Sequence, residues 1–346
     1  MMKRSTLFAI AFLMLTALSA QDKHFTQFYA SPLTLNPALT GAYNGRFRVA
    51  SIYRDQWRGA LESPYVTFAS AVDVRWDVEF DSRYKDAFAI GLLFFNDKVG
   101  GIDFSTNQLA LSAAFHKGLD YDKKQFLSLG IQGGLAQRNI NYEDLTFDDQ
   151  FNDINSFDQA TRENLPENNF SFSDFNVGLN YTFTPKQDMS FFAGLALHHF
   201  LQPQLSFYSE EDGGDSKLYM KISGQLSAQV PLSDRVSIIP RALFAQQGPH
   251  LEINVGSNLR YKLTDYNGNA LQFGSWVRPV TTEDESFAID ALIVMFGFEI
   301  GSVLVGASYD INLDDVSTFK QGQNAIEFSL TYLGSYDDES ILCPSF

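Results

Sequence analysis

From Gly45 onward, apolar residues in this chain recur at every second position, and a period of two excludes a helical fold for most of its length. Phe175, Val177, Leu179, Tyr181 and Phe183 alternate with Asn176, Gly178, Asn180 and Thr182. Leu251, Ile253, Val255, Leu259 and Tyr261 stand opposite Glu252, Asn254, Gly256, Asn258, Arg260 and Lys262. Residues 127–136 set Leu127, Leu129, Ile131 and Leu135 against Ser128, Gly130, Gln132 and Gly134. Successive side chains of a strand point to opposite faces, so each stretch has one oily and one wet side. About fourteen such stretches follow one another, an even number of the kind that closes a single-chain outer-membrane barrel. They fall at 45–57, 65–76, 87–96, 105–117, 126–138, 172–183, 190–200, 218–230, 235–246, 250–262, 270–278, 286–298, 302–311 and 324–333. Many match the roughly 9–11 residues that cross a bilayer at a tilt.

A soluble sandwich would alternate too, its oily face packed on a second sheet. Three features favour the membrane. Connections alternate in length, with long stretches at 139–171, 201–217 and 312–323 and short turns at 184–189, 231–234 and 263–269. That asymmetry belongs to barrels with long outer loops and short periplasmic turns. The chain also holds 32 Phe and 15 Tyr without the long apolar runs of a helical membrane protein. Finally, residues 1–20 carry Lys3 and Arg4, an apolar run from Leu7 to Leu15, and Ala20, the layout of a cleaved secretory signal peptide. Phe287 to Ala307 approaches the hydrophobicity of a spanning helix, but Asp290, Glu299 and three glycines interrupt it; two strands joined near Glu299–Ser302 fit better. The expected fold is therefore all-β, a transmembrane antiparallel up-and-down β-barrel over residues 45–333 with a periplasmic tail at 334–346.

Loss of Lys3 and Arg4 with the leader takes the basic residues from 25 to 23 against 41 acidic ones, a net charge of −18 that repels nucleic acid. The single Cys343 cannot form an internal disulfide. No catalytic constellation, metal motif or phosphate-binding glycine loop is present, so no enzyme activity, cofactor or metal is expected. His198 and His199, adjacent on a strand, are expected on opposite faces. The acidic stretch 143–158 lacks the glycine and terminal glutamate of a calcium loop and reads as a solvated outer loop, as do Glu210, Glu211, Asp212 and Asp215.

One segment stands outside the alternation. His24 to Gly41, HFTQFYASPLTLNPALTG, is aromatic and apolar, and Pro32 and Pro37 keep it out of a barrel wall. Strand parity sets it on the periplasmic side, as it does the tail. An exposed apolar segment ordinarily has a docking surface. Residues 21–44 are thus expected to be ordered, as a plug in the lumen or on a periplasmic partner, through His24, Phe25, Gln27, Phe28, Tyr29, Pro32, Asn36 and Pro37.

Together with this segment, Tyr53-Arg54-Asp55-Gln56-Trp57, Asn96-Asp97-Lys98-Val99-Gly100 and Phe147-Asp148-Asp149-Gln150-Phe151 occur in order. His199 with Pro203 and Ser206-Phe207, Trp276-Val277-Arg278, and Ser308-Tyr309-Asp310-Ile311 complete a set that resembles the PorP/SprF family. Those are outer-membrane proteins of the Bacteroidetes type IX secretion and gliding machinery. The resemblance spans nearly the whole mature chain; Lys23 departs from the small residue or proline more usual there. It implies a non-enzymatic barrel in the outer membrane that helps export or retain a secreted cargo, such as an adhesin bearing a type IX C-terminal domain. It also implies periplasmic ring or lipoprotein components as partners, beside outer-membrane lipid. A solute channel is the alternative reading, with Glu252, Asn254, Arg260 and Glu327 lining the pore.

Overall fold

The structure, a computed structural model, describes residues 24–334 except 60, 62, 79–83, 101–102, 144, 153–155, 187, 208–216, 265–267, 282–286 and 314–323. Residues 1–20, expected to be a leader, residues 335–346 of the tail expected at 334–346, with Cys343, and Glu210, Glu211, Asp212 and Asp215 lie outside the described residues. No described helix is long and apolar enough to cross a membrane; the crossing elements are strands.

Fourteen of them run in chain order. They are β1 (Phe47–Gln56), β2 (Tyr65–Val78), β3 (Asp86–Val99), β4 (Phe104–Gly118), β5 (Gln125–Asn139), β6 (Asn169–Lys186) and β7 (Met189–His198). The second half comprises β8 (Lys221–Pro231), β9 (Val236–Gln247), β10 (His250–Lys262), β11 (Ala270–Thr281), β12 (Phe287–Ile300), β13 (Val303–Asn312) and β14 (Ala325–Gly334). Each pairs antiparallel with its chain neighbours, and β1 closes the cylinder on β14, Phe47 facing Gly334 and Gln56 facing Ala325. Every alternating stretch became a strand within a few residues of its expected limits. The near-helical stretch is β12 and β13, hinged at Gly301–Ser302.

The oily face is the outer one. Leu129, Ile131 and Leu135 on β5, Leu195 on β7 and Leu226 on β8 point outward, whereas Ser128, Gln132, Asn176, Asn180 and Gln225 are buried inside. Outward aromatics gather toward the two ends of the strands. Phe94, Phe175, Phe287 and Tyr309 stand at the long-loop end, and Trp76, Phe88, Tyr181, Tyr261 and Tyr332 at the short-turn end. These are the girdles expected where a barrel wall meets the two bilayer interfaces. In β12 the register slips between Arg278 and Pro279 of its partner, so that Asp290 and Ala291 both turn inward.

The interior is filled rather than open. Residues 24–43 make contacts with strands on all sides of the closed sheet, from β1 to β6 and from β9 to β14, which only a segment inside it can do. The core consequently lies within the cylinder. Phe28, Tyr29, Leu33, Leu35 and Leu39 pack there on Ile52, Leu93, Leu243, Trp276, Ile293 and Met295 of the wall.

Candidate functional site

The lumenal segment has no long regular element because its sequence permits none. A 3-10 turn at Phe28–Ala30, one helical turn at Pro32–Leu35 and a second 3-10 turn at Pro37–Leu39 succeed one another. Each proline sits at the start of its turn, where the missing N–H would have no partner in any case. A segment this irregular leaves backbone groups unpaired, and inside a barrel they must be satisfied by the wall.

The wall does so level by level. Nearest the long loops, the His24 Nδ1 lies 3.2 Å from Glu252 Oε2, and Phe25 meets the Phe95 ring edge-on at 6.2 Å. Below them Glu327, fully buried on β14, accepts the backbone N–H of Thr26 at 2.7 Å and of Gln27 at 2.8 Å, one on each oxygen. The Gln27 side chain donates to Ser308 Oγ at 3.1 Å and accepts from Ser329 Oγ at 2.8 Å. Arg54 donates to Glu327 at 2.5 Å and to Asp310 at 3.1 Å; Arg278 reaches Asp310 at 3.0 Å and Asp290 at 2.7 Å. The Thr26 hydroxyl sits between the two guanidiniums and donates to Asp310 at 2.7 Å. Two cations and three carboxylates are thus arranged around one short piece of backbone, across the seam where β1 meets β14.

Midway, Tyr29 stacks on Trp276 with centroids 5.9 Å apart, while the Arg241 guanidinium lies 4.0 Å over its ring. Phe28 meets Trp276 edge-on at 5.7 Å. The Asn36 amide donates to the carbonyls of Leu179 and Leu195, both at 3.2 Å, and its oxygen caps the Ala38 N–H at 2.8 Å. Pro37 lies against Gly130, which faces Gly178 across the β5–β6 pair. A Cβ on Gly130 would collide with the Pro37–Ala38 backbone, and one on Gly178 with the Asn36 amide. These two wall positions are glycine because the segment occupies the space a side chain would need. At the short-turn end the His116 Nε2 donates to the Thr40 carbonyl at 2.8 Å. There Arg48 bridges Leu39 and Asp73, and Asp73 also accepts the Gly41 N–H at 2.7 Å.

All eight residues singled out in the sequence lie in the lumen, seven of them buried and His24 half-buried. The direction of the segment differs from the parity argument. His24 reaches the long-loop half of the barrel, and only Gly41–Tyr43 lie among the short turns that precede β1. Parity fixes where β1 begins, not the path of an irregular segment before it. Sequence reasoning passed over Arg48, Arg54, Asp73, His116, Gln132, Arg241 and Arg278 as partners of the segment. A signal was present: β3 is apolar on both faces from Phe88 to Phe95 apart from Gly91, and β12 from Ala291 to Phe298 apart from Gly297. A wall strand apolar on both faces meets lipid outside and a dry filling inside. Glu252, Asn254, Arg260 and Glu327 do face inward. Asn254 and Glu327 are inaccessible, and Arg260 is clamped on Glu299 at 2.6 Å.

Above the segment, a cavity of about 460 Å³ opens toward the long loops. Phe25, Phe28, Leu35, Leu93, Phe95 and Leu243 make its floor and lower wall. Four of the five histidines border it, including His198 and His199 together. They do not take opposite faces because β7 ends at His198 and His199 adopts φ 55°, which breaks the alternation. His199 pairs with Asp174 at 2.8 Å and His198 with Ser223 at 3.2 Å; no metal-binding group of three occurs among the described residues. In the described part of the connection after β7, Leu205 and Leu218 border the cavity and Phe207 is wedged between Phe104 and Phe170 at 6.2 and 4.8 Å. The β5–β6 connection is also built. Phe151 and Phe157 pair at 5.1 Å, and the Arg162 N–H, with the Thr161 hydroxyl, holds the Asp149 carboxyl below its usual range.

Comparison with known proteins is informative at the family level. The family model described as "Type IX secretion system membrane protein PorP/SprF" matches residues 17–332, and the chain belongs to that family. No curated protein matches it in sequence. Among solved structures, a deletion mutant of the TodX monoaromatic hydrocarbon channel superposes with a TM-score of 0.53 at 12% identity, over 89% of this chain and 94% of that one. The CymD monoaromatic hydrocarbon channel gives 0.49 at 11%, over 89% and 94%. The toluene transporter TodX of P. putida gives 0.46 at 14%, over 88% and 93%. At such identities the likeness concerns the barrel fold alone. Family and fold together make the chain an outer-membrane β-barrel of the type IX secretion system.

Proposed function

We propose that this barrel is a non-enzymatic acceptor that helps export or retain a type IX cargo, an adhesin C-terminal domain, at the cell surface through its long outer loops. The observation that carries this reading is the filled lumen. From His24 to Tyr43 the interior is bonded to the wall at every level, which suits a rigid pedestal. At the opposite end from the tight turns, the described part of the connection after β5 is held by an aromatic pair and side-chain hydrogen bonds, and that after β7 by the packing of Phe207 on Phe170. The lumenal residues are on this reading a plug and core, and periplasmic ring or lipoprotein components are the expected partners below. In-envelope crosslinking with probes in loops 139–171 and 201–217 should capture a cargo bearing a type IX C-terminal domain. If deleting both loops leaves the cargo on the surface, the reading fails.

The channel alternative has one observation in its favour, the cavity at the outer mouth. A conduit would have to continue past Tyr29 and Trp276, which are stacked and buried.

A further inference from the structure

The wall neutralises four of its lumenal arginines and leaves a fifth, Arg241, without a counter-charge. Arg48, Arg54, Arg260 and Arg278 each reach a carboxylate at 2.7 Å or less. Two of those carboxylates stand directly across the ladder, Asp73 opposite Arg48 and Glu327 opposite Arg54. Arg241, in the middle of β9, instead faces Ser227 on β8 and Gly256 on β10. Its guanidinium makes no ion pair or hydrogen bond among the described residues, and its Nε and Nη1 are buried without an acceptor. It lies 4.0 Å over the Tyr29 ring, which attracts a cation but is itself neutral. Glu299, the carboxylate whose charge reaches it, is already clamped by Arg260 and Gln272, each at 2.6 Å. One level nearer the long loops, Gln225 on β8 and Asn254 on β10 flank Leu243 of β9. Both are buried, and neither the Gln225 Nε2 nor the Asn254 amide has a partner among the described residues.

We propose that Arg241, with the amides of Gln225 and Asn254, holds a monatomic inorganic anion, chloride, inside the barrel beside Tyr29. A guanidinium does not give up its proton in a protein, so burial leaves the charge in place. Water would satisfy the idle donors but not that charge; an anion does both. Arg241 and Ser227 keep 8% and 9% of their surface accessible, so a body about the size of a water molecule fits against each. The Asn254 oxygen, likewise unpaired, suits a water held by the ion. Because Tyr29 also stacks on Trp276, the ion ties the β8–β10 side of the wall to the lumenal segment. The site does not depend on the cargo reading.

The test uses the full-length barrel refolded into lipid vesicles in sodium gluconate, whose anion is too large for the site. Gluconate is then replaced stepwise by chloride at constant ionic strength, with urea unfolding followed by tryptophan fluorescence. Chloride should raise the folded-to-unfolded ratio along a one-site curve, by about a hundredfold at about a hundred times its dissociation constant, and bromide should act alike. Ser227→Asp supplies a carboxylate where Arg48 and Arg54 have theirs. Its stability in gluconate should match that of the unaltered barrel in chloride, and its own response to chloride should fall below about twofold. Arg241→Met, which removes the charge, should also lose the response. In crystals of the full-length protein grown in bromide, an anomalous scatterer should lie within hydrogen-bonding distance of the Arg241 guanidinium. Stability of the unaltered barrel that does not change when chloride replaces gluconate would overturn the proposal. So would a chloride response that persists in either variant, a Ser227→Asp barrel less stable in gluconate than its parent, or bromide located only elsewhere.

Discussion

Glu327 offers the most stringent test of how the lumen is held. Its carboxylate is inaccessible to solvent and accepts three charge-assisted hydrogen bonds, from the Thr26 and Gln27 backbone and from Arg54. Glu327→Gln keeps the shape, but its amide group must point a donor at one of those donors. It also leaves Arg54 to share Asp310 with Arg278. Hydrogen bonds to a charged group are each worth about 1.5–3 kcal/mol, and breaking one partner of a buried ion pair costs about 3–5 kcal/mol. The second figure is the better guide, because it includes the cost of the stranded cation. A loss of about 3–5 kcal/mol in unfolding free energy is expected, from urea titration of the barrel in lipid vesicles followed by tryptophan fluorescence. Trp276, one of the three tryptophans, stacks against the segment and reports the lumen directly. Arg54→Met should cost a similar amount, and the double variant clearly less than the sum, since each change removes the other's partner. A loss below about 1 kcal/mol for Glu327→Gln, or strict additivity in the double variant, would refute the claim that this cluster anchors the segment across the β1–β14 seam.

Other outcomes follow from the same geometry. Phe28→Ala with Tyr29→Ala empties the space against Trp276 and Arg241 and should destabilise the barrel by at least about 3 kcal/mol in the same assay; no change would make the segment a passive filler. Gly130→Ala should be worse than Gly178→Ala, because one meets backbone and the other a side-chain amide, with losses of about 1–3 kcal/mol separated by a lower semi-native gel transition. Leu129→Arg, on the lipid face of β5, should cost about 2–4 kcal/mol if it lies near the bilayer midplane, measured by unfolding in vesicles. The intact barrel should show no steady conductance in planar bilayers, and excision of residues 26–41 should open one; conductance in the intact barrel would favour the channel reading.

Much of this was legible in the chain because a strand writes its environment at alternate positions. Leu129 and Ser128 declare lipid and lumen without reference to any other strand. The proline spacing of the segment and its aromatic load likewise kept it out of the wall. Its partners were not legible. Thr26 and Glu327 are 301 positions apart, and Arg54 and Asp310 are 256 apart. Nothing local marks Arg54 or Arg278 as different from a solvated lumenal arginine. His198 and His199 mislead for a related reason: one left-handed residue ends the strand, and alternation carries no notice of it.

The sequence by itself determined the class of fold, the number of strands, which face of each meets lipid, and the family. All of these depend on short-range periodicity or on ordered motifs. Closure of the sheet decided the rest, by placing β1 beside β14 and so assembling Arg54, Arg278, Asp310 and Glu327 around two peptide groups of the segment. It also set the direction in which that segment runs, from the long-loop end down to the short turns. A cylinder of fourteen strands has an interior that must be filled, and which residues fill it is settled only when the two ends of the sheet meet.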